Sequence, residues 1–196
     1  RQRQMCIRDR FTTKEIDKFK KVFLHISIDG SGSMSGKCWD DTLAVTIAIC
    51  KAASMVSNLL VQVSIRGTWG DKPYVCIAYD SRMDKFEKIK RLFPALHANG
   101  TTPEGLCYQA IMKHFVESNK DMDSYFINIC DGEPTFSNSQ CSYGGENAVL
   151  HTKKMVKQIK DLGIRVMAYF VGDGGYGRGN SAERFKRMYG SDSKFI

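Results

Sequence analysis

The sequence predicts an α/β domain in which a mostly parallel sheet carries helices on both faces and one antiparallel strand at an edge. Three observations lead there. Short apolar runs without breakers alternate along the chain with longer segments of helical periodicity. Two of the runs close on an aspartate and a glycine, Asp29-Gly30 and Asp131-Gly132, as strands feeding exposed loops do. A third pair of runs, 62–66 and 74–79, is separated only by 67–73, which is too short for a crossover helix, so these two strands pair antiparallel.

The run 22–28, Val-Phe-Leu-His-Ile-Ser-Ile, reads as the first strand. Residues 40–60 read as a long helix with Leu43, Ile47, Ala48, Met55, Val56 and Leu59 on its core side; Ala44, Ala52 and Ala53 permit close packing. After the antiparallel pair comes a helix over 84–93, with Phe86, Ile89 and Phe93 at helical spacing. A further helix, 103–118, opens with Pro103 in its first turn, where the missing N–H is harmless. The strand 125–131 leads into a long polar loop, 133–146, the segment best placed to touch a partner. Helix 148–162 turns Met155, Val156, Ile159 and Leu162 inward and is stopped by Gly163. A strand at 164–171, a glycine-rich loop at 172–180, a short helix at 181–189 with Ala182, Phe185 and Met188 on one side, and a last strand at 193–196 complete the order.

Composition bounds the rest. With 196 residues, 42% hydrophobic and 26% charged, the chain supports one domain with a sizeable core. No apolar run is long enough to cross a bilayer, so no membrane role is expected. The seven cysteines are scattered without any C-x-x-C, several inside apolar runs, and predict free thiols in a reducing, cytoplasmic compartment. The formal net charge is +8. Lys85, Lys88, Lys90 and Arg91, then Lys153, Lys154, Lys157 and Lys160, read as solvated helix faces; attraction to an acidic partner or to nucleic acid is the alternative.

The chemistry concentrates in three loops. Asp29-Gly30-Ser31-Gly32-Ser33 sets one carboxylate and two hydroxyls at alternate positions with glycines between, a spacing also found in ordinary Gly/Ser turns. Asn99-Gly100-Thr101-Thr102-Pro103-Glu104-Gly105 places hydroxyls just before a helix, and Asp131 ends a strand. All three fall where strands end or helices begin, at the crevice where open α/β sheets bind ligands. Hydroxyl, carboxylate and water oxygens suit a small hard cation such as magnesium.

Together, Asp29-Gly30-Ser31-Gly32-Ser33, Thr102 and Asp131-Gly132 resemble the metal-ion-dependent adhesion site of von Willebrand factor type A domains. Asp131-Gly132-Glu133-Pro134 and the Gly-Thr-Thr-Pro-x-Gly run are similar to the intracellular microbial or viral branch of that family. The resemblance spans 22–196 and implies a Rossmann-like, doubly wound sheet. It implies that Asp29, Ser31, Ser33, Thr102 and Asp131 hold Mg2+, with Mn2+ an alternative. Ser31 and Ser33 would ligate directly, Thr102 directly or through water, and Asp29 and Asp131 through bridging waters. Thr101 stands where the family often has glycine; Thr102, which precedes Pro103, is the threonine expected to face the ion.

Neutral hydroxyl ligands leave the cation electron-poor, so an Asp or Glu from a protein partner can complete its shell. The expectation is therefore a non-catalytic, metal-dependent interaction domain. The resemblance suggests an adaptor or subunit of an ATP-driven, chelatase-like assembly, with an AAA+ ATPase as one partner. No Walker-type loop and no zinc-like spacing of His25, His97, His114 or His151 occurs. Two alternatives remain: a metal-dependent hydrolase using His97 or Asp173 as base, and a nucleic-acid-binding ribonucleoprotein-type domain.

Residues 1–21 read as an N-terminal extension. Its first ten residues lack periodicity and resemble a translated sequencing-adapter remnant. The family's usual last helix would follow the final strand; the chain stops short of it, which predicts an exposed apolar strip on the sheet face that helix covers.

Overall fold

The computed structural model describes residues 20–171 and 178–196, with the side chains of 178 and 179 excepted. The N-terminal ten residues, most of the extension, and Asp173 with its neighbours in the glycine-rich loop lie outside the described residues. Strand β1 (Lys21–Asp29) leads through a 3-10 turn (Gly32–Met34) into α1 (Lys37–Ala53), followed by β2 (Leu59–Trp69) and β3 (Lys72–Asp80). Helix α2 (Glu87–Leu92) and α3 (Glu104–Ile111) precede β4 (Met122–Cys130). A small hairpin, β5 (Phe136–Ser137) and β6 (Ser142–Tyr143), leads to α4 (Gly145–Asp161), β7 (Arg165–Phe170), α5 (Arg178–Tyr189) and β8 (Ser193–Phe195).

Six strands form one sheet in the order β3-β2-β1-β4-β7-β8. Every pairing is parallel except β2 with β3, which places the single antiparallel strand at the edge, as the short connection predicts. Helices cover both faces. Trp39, Leu43, Cys50 and Ala53 of α1 and Ile89 of α2 pack on Ile26, Ile28, Val61, Val63 and Ile65. On the opposite face Tyr108, Ile111, Val149, Val156, Ile159, Phe185 and Met188 from α3, α4 and α5 meet Phe126, Val166, Ala168 and Phe170. The α/β class with helices on both faces is therefore the observed one.

Several boundaries differ from expectation for identifiable reasons. The first helix stops at Ala53, so Met55 and Val56 stand 73% and 49% exposed rather than in the core. The apolar period runs on past Ala53, but β1 claims the following residues: Val22 pairs with Leu59 and Phe23 with Leu60. Sheet pairing overrides helical periodicity there. Ala44, Ala48 and Ala52 are exposed, and the buried stripe of α1 is Trp39, Thr42, Leu43, Thr46, Cys50 and Ala53.

Most of the loop predicted at 67–73 is paired strand. Gly67 faces Tyr74, Thr68 faces Pro73 and Trp69 faces Lys72, leaving Gly70-Asp71 as a two-residue turn. Gly70 has φ +60, the left-handed conformation that such hairpin turns require. The helix expected over 103–118 ends at Ile111 and continues only as a 3-10 turn, Met112–His114. The polar loop 133–146 contains the β5–β6 hairpin, and α4 starts at Gly145 rather than at 148. The last helix starts at Arg178, three residues ahead of the expected 181.

Candidate functional site

The site forms at the carboxyl edge of the sheet, where β1 and β4 end side by side. Asp29 is the last residue of β1 and is fully buried. Its Oδ1 accepts a hydrogen bond from Ser31 N at 2.8 Å, which folds the chain back on itself in the manner of an Asx turn. The glycine between them lies close to β2: Gly30 N donates to Arg66 O at 2.7 Å, and its own carbonyl accepts from Asn99 N at 2.6 Å. Gly32 N in turn donates to Gly100 O at 3.0 Å, so the serine loop and the threonine loop are joined through their backbones.

The five candidate side chains meet there. Ser31 Oγ and Ser33 Oγ are 3.0 Å apart, and Ser33 Oγ donates to Asp131 Oδ1 at 2.8 Å. The Thr102 hydroxyl is shared between the two carboxylate oxygens of Asp29, at 2.9 and 2.8 Å. Ser31 and Thr102 are buried, Asp131 is half-buried and Ser33 is exposed, so the cluster opens to solvent on the Ser33–Asp131 side. The two adjacent threonines divide the work. Thr101 is exposed and its N–H donates to Thr68 Oγ1 at 2.9 Å, while Thr102 faces inward. Thr102 O accepts from Thr135 N at 2.8 Å, bringing the segment before the β5–β6 hairpin to the rim.

Beneath Asp29 lies a buried polar network that sequence reasoning missed. Arg66 is fully buried at the point where β2 passes Asp29, with Nη2 4.0 Å from Asp29 Oδ2 and 2.9 Å from Glu104 Oε1. Its Nη1 donates to Ser27 O and Ser27 Oγ at 3.2 and 3.1 Å. Glu104, two residues after Thr102, accepts on the same oxygen from Tyr108 at 3.0 Å, Asn128 at 3.0 Å and Tyr189 at 2.8 Å. The Tyr108 and Tyr189 hydroxyls are themselves 2.6 Å apart, so two protons are divided among three acceptors. A buried guanidinium needs such a partner, since an unpaired charge at this depth is strongly disfavoured. The available signal was the alternation His25-x-Ser27-x-Asp29 and Gln62-x-Ser64-x-Arg66 inside apolar strands, which marks a polar stripe on one face.

His97 and His114 are exposed. His25 is packed within the sheet: its Nε2 lies 2.8 Å from Ser64 Oγ, and burial lowers its pKa to about 3. Cys50 and Cys107 form no disulfide; burial pushes both thiols up to about 12, so both remain protonated. Among the described residues no cluster of three or more His, Cys, Asp or Glu side chains could hold a metal, and no helix is long and apolar enough to cross a membrane. The donors that do converge are three hydroxyls and two carboxylates.

No family model matches the sequence, nor does any curated protein. Solved structures do match. The pilus adhesin SpaC of Lactobacillus rhamnosus GG superposes with a TM-score of 0.65 at 15% identity, over 91% of this chain. This chain spans 28% of the length of SpaC. The von Willebrand factor domain of the type V pilus tip protein Mfa5 of Porphyromonas gingivalis gives 0.63 at 9% identity, over 90% of each chain. Manganese-loaded TRAP of Plasmodium vivax gives 0.57 at 16% identity, over 90% of this chain and 68% of TRAP. The chain has the von Willebrand factor type A fold. At these identities the likeness speaks for the fold alone.

Proposed function

We propose that this chain is a non-catalytic protein-interaction domain whose Asp29, Ser31, Ser33, Thr102 and Asp131 hold Mg2+ or Mn2+ and present it to an acidic side chain of a partner. The observation that carries this reading is the convergence of three hydroxyls and two carboxylates from three loops, in two hydrogen-bonded sets, Ser31–Ser33–Asp131 and Asp29–Thr102, joined through Ser31 N.

The donor set fits a hard divalent cation. It is all oxygen, with neither imidazole nor thiolate, which favours magnesium or manganese over zinc or copper. Two carboxylates supply negative charge, and the Arg66 guanidinium 4.0 Å from Asp29 offsets part of it. Such an ion, when bound, offers a positive vertex that a carboxylate can complete. This chain's own residues hold the donors in place. Asp29 fixes the serine loop through Ser31 N and orients Thr102, while Asp131 orients Ser33. The exposed Ser33 side is where a partner would enter. The manganese carried by the similarly folded TRAP agrees with this choice of ion.

An intracellular adaptor role, with an AAA+ ATPase among the partners, belongs to the same proposal. It is supported by the free, core-packed Cys50, Cys107 and Cys130 and by the Asp131-Gly132-Glu133-Pro134 run. Isothermal titration of the metal-free chain with MnCl2 and MgCl2 tests the core of the reading. Saturable binding near one ion per chain, lost in Ser31→Ala and Asp29→Ala variants that retain their circular dichroism, is the expected result. Absence of saturable binding by the folded wild type would remove the ion from the function.

A further inference from the structure

The sheet register gives this site an asymmetric rim. Asp29 pairs with Arg66, the last link between β1 and β2, yet β2 runs on to Trp69. At about 3.3 Å per residue, the β2–β3 hairpin therefore stands roughly 10 Å above the carboxyl edge, beside the serine and threonine loops. It is braced at both levels. The Thr68 hydroxyl accepts from Thr101 N at 2.9 Å, and Gly100 lies so close that a Cβ there would collide with that hydroxyl. Gly100 also has φ +80, so both space and backbone call for glycine. At the tip, Asp71 O accepts from Asn138 Nδ2 at 3.0 Å, which ties the turn to the β5–β6 hairpin.

On this braced tip sits Trp69, 82% exposed. Single exposed apolar residues are ordinary on a protein surface, and Val45, Met55, Met83 and Leu150 are examples here. Trp69 differs in two respects: its side chain is the largest apolar one left in solvent, and its backbone neighbour Thr68 touches the loop that carries Thr102. An indole on a braced hairpin is the kind of residue that dominates binding energy when a partner buries it. The hairpin edge itself discourages strand addition, because Pro73 has no N–H to donate.

We propose that Trp69 is the second anchor of the interface: it takes an aromatic or aliphatic side chain from the same partner segment whose Asp or Glu docks at Asp29, Ser31, Ser33, Thr102 and Asp131. This rests on the acidic capture proposed above. The occupant is an extended acidic peptide segment of a partner protein. Its negative charge suits the exposed Lys72 paired across from Trp69 and the +8 net charge of the chain. The spacing follows from the geometry. Trp69 is one residue from Thr68, which touches Thr101, which precedes Thr102. That backbone contour of roughly 10–14 Å is the upper limit of the Trp69–Thr102 Cα separation, and an extended chain spans about 3.3–3.6 Å per residue. The apolar residue therefore lies within about four positions of the acid.

The test is selection of displayed random twelve-residue peptides on the chain in MgCl2, followed by affinity measurement of the enriched peptides as synthetic probes. Peptides pairing Asp or Glu with an aromatic or aliphatic residue within about four positions are expected. Trp69→Ala should weaken them roughly 30-fold, with Trp69→Phe intermediate and the calorimetric Mn2+ affinity unchanged. Equal binding by wild type and Trp69→Ala, or enriched peptides without the spaced apolar residue, would overturn the proposal. So would an empty selection accompanied by self-association that Trp69→Ala abolishes, which would assign the indole to a second copy. Peptides that depend on Trp69 but bind equally well in EDTA would retain the anchor and sink the metal reading instead, so the two failures are distinguishable.

Discussion

The central strands present two unlike faces. Toward α1 and α2 they offer Ile26, Ile28, Val61, Val63 and Ile65, all buried and apolar. One residue out of phase, toward α3 and α5, the same strands offer His25, Ser27 and Asp29, then Gln62, Ser64 and Arg66, equally buried and polar. The apolar face is held by area removed from water, a non-directional term that tolerates changes of shape if volume is kept. The polar face is held by directed bonds whose members are each costly to leave unpaired. The candidate site sits at the end of the polar face, and its innermost member, Asp29, is also the last residue of that stripe. A binding loop is thus fastened to the part of the molecule with the narrowest geometric tolerance.

The sharpest way to break this contrast is at Glu104. Replacing it by Leu leaves the Arg66 guanidinium buried with only Asp29, 4.0 Å away, as a counter-charge. Unfolding free energy from urea denaturation should fall by about 3–5 kcal/mol, the usual effect of stripping one partner from a buried pair. Adding Arg66→Met should recover much of that loss, because a neutral pair of similar volume needs no counter-ion. A double variant that is no more stable than Glu104→Leu alone would mean that the pair is not what holds α3 against β2.

Legibility in the sequence divides along the same line. The apolar face follows from periodicity, and the α/β order with its antiparallel edge was readable from run lengths and from the short 67–73 segment. Asp29, Ser31, Ser33, Thr102 and Asp131 were also readable as neighbours, because each falls at the end of a strand or the start of a helix, positions that the parallel topology gathers at one edge. The Arg66–Glu104 pair was not. Its members are 38 positions apart, and Glu104 in a first helical turn looks like a favourable dipole partner rather than a buried counter-ion. The end of α1 escaped for a different reason: Met55 and Val56 continue the helical pattern, and only the pairing of Leu59 with Val22 shows that the strand has already claimed the segment.

His25 offers a second, smaller handle on the polar face. Burial holds its ring neutral down to about pH 3, with the charges of His114 and Arg82 contributing and the Asp80 carboxylate and a side-chain hydrogen bond with Gln62 opposing. In the unfolded chain the ring takes up a proton near pH 6.5. The unfolded state therefore binds more protons throughout that interval, and acid favours unfolding. His25 should contribute a loss of about 1.4 kcal/mol per pH unit as the pH falls below 6. The wild-type stability curve should drop more steeply between pH 6 and 4 than that of His25→Gln by this amount. Parallel curves for the two proteins would show that the ring is not shielded from water as its burial indicates.

The smallest expected effect is the most informative about reach. Tyr189 on α5 donates to Glu104 and also accepts from Asn128 at 2.9 Å, so its hydroxyl is the far end of a chain of contacts running through Glu104 and Arg66 to Asp29. Tyr189→Phe keeps the ring against Phe185 and removes only the oxygen. It should lower stability by about 1.5–3 kcal/mol, the range for a hydrogen bond to a charged group. Ile26→Val on the apolar face should lower it by about 0.5–1.5 kcal/mol through the lost methyl group. Both variants leave the chain folded, and they differ in which face they disturb. If the polar network positions Asp29, Tyr189→Phe should weaken Mn2+ binding several-fold while Ile26→Val leaves it unchanged. Equal Mn2+ affinity in both would confine the network to a structural role and leave the site dependent on its own loops.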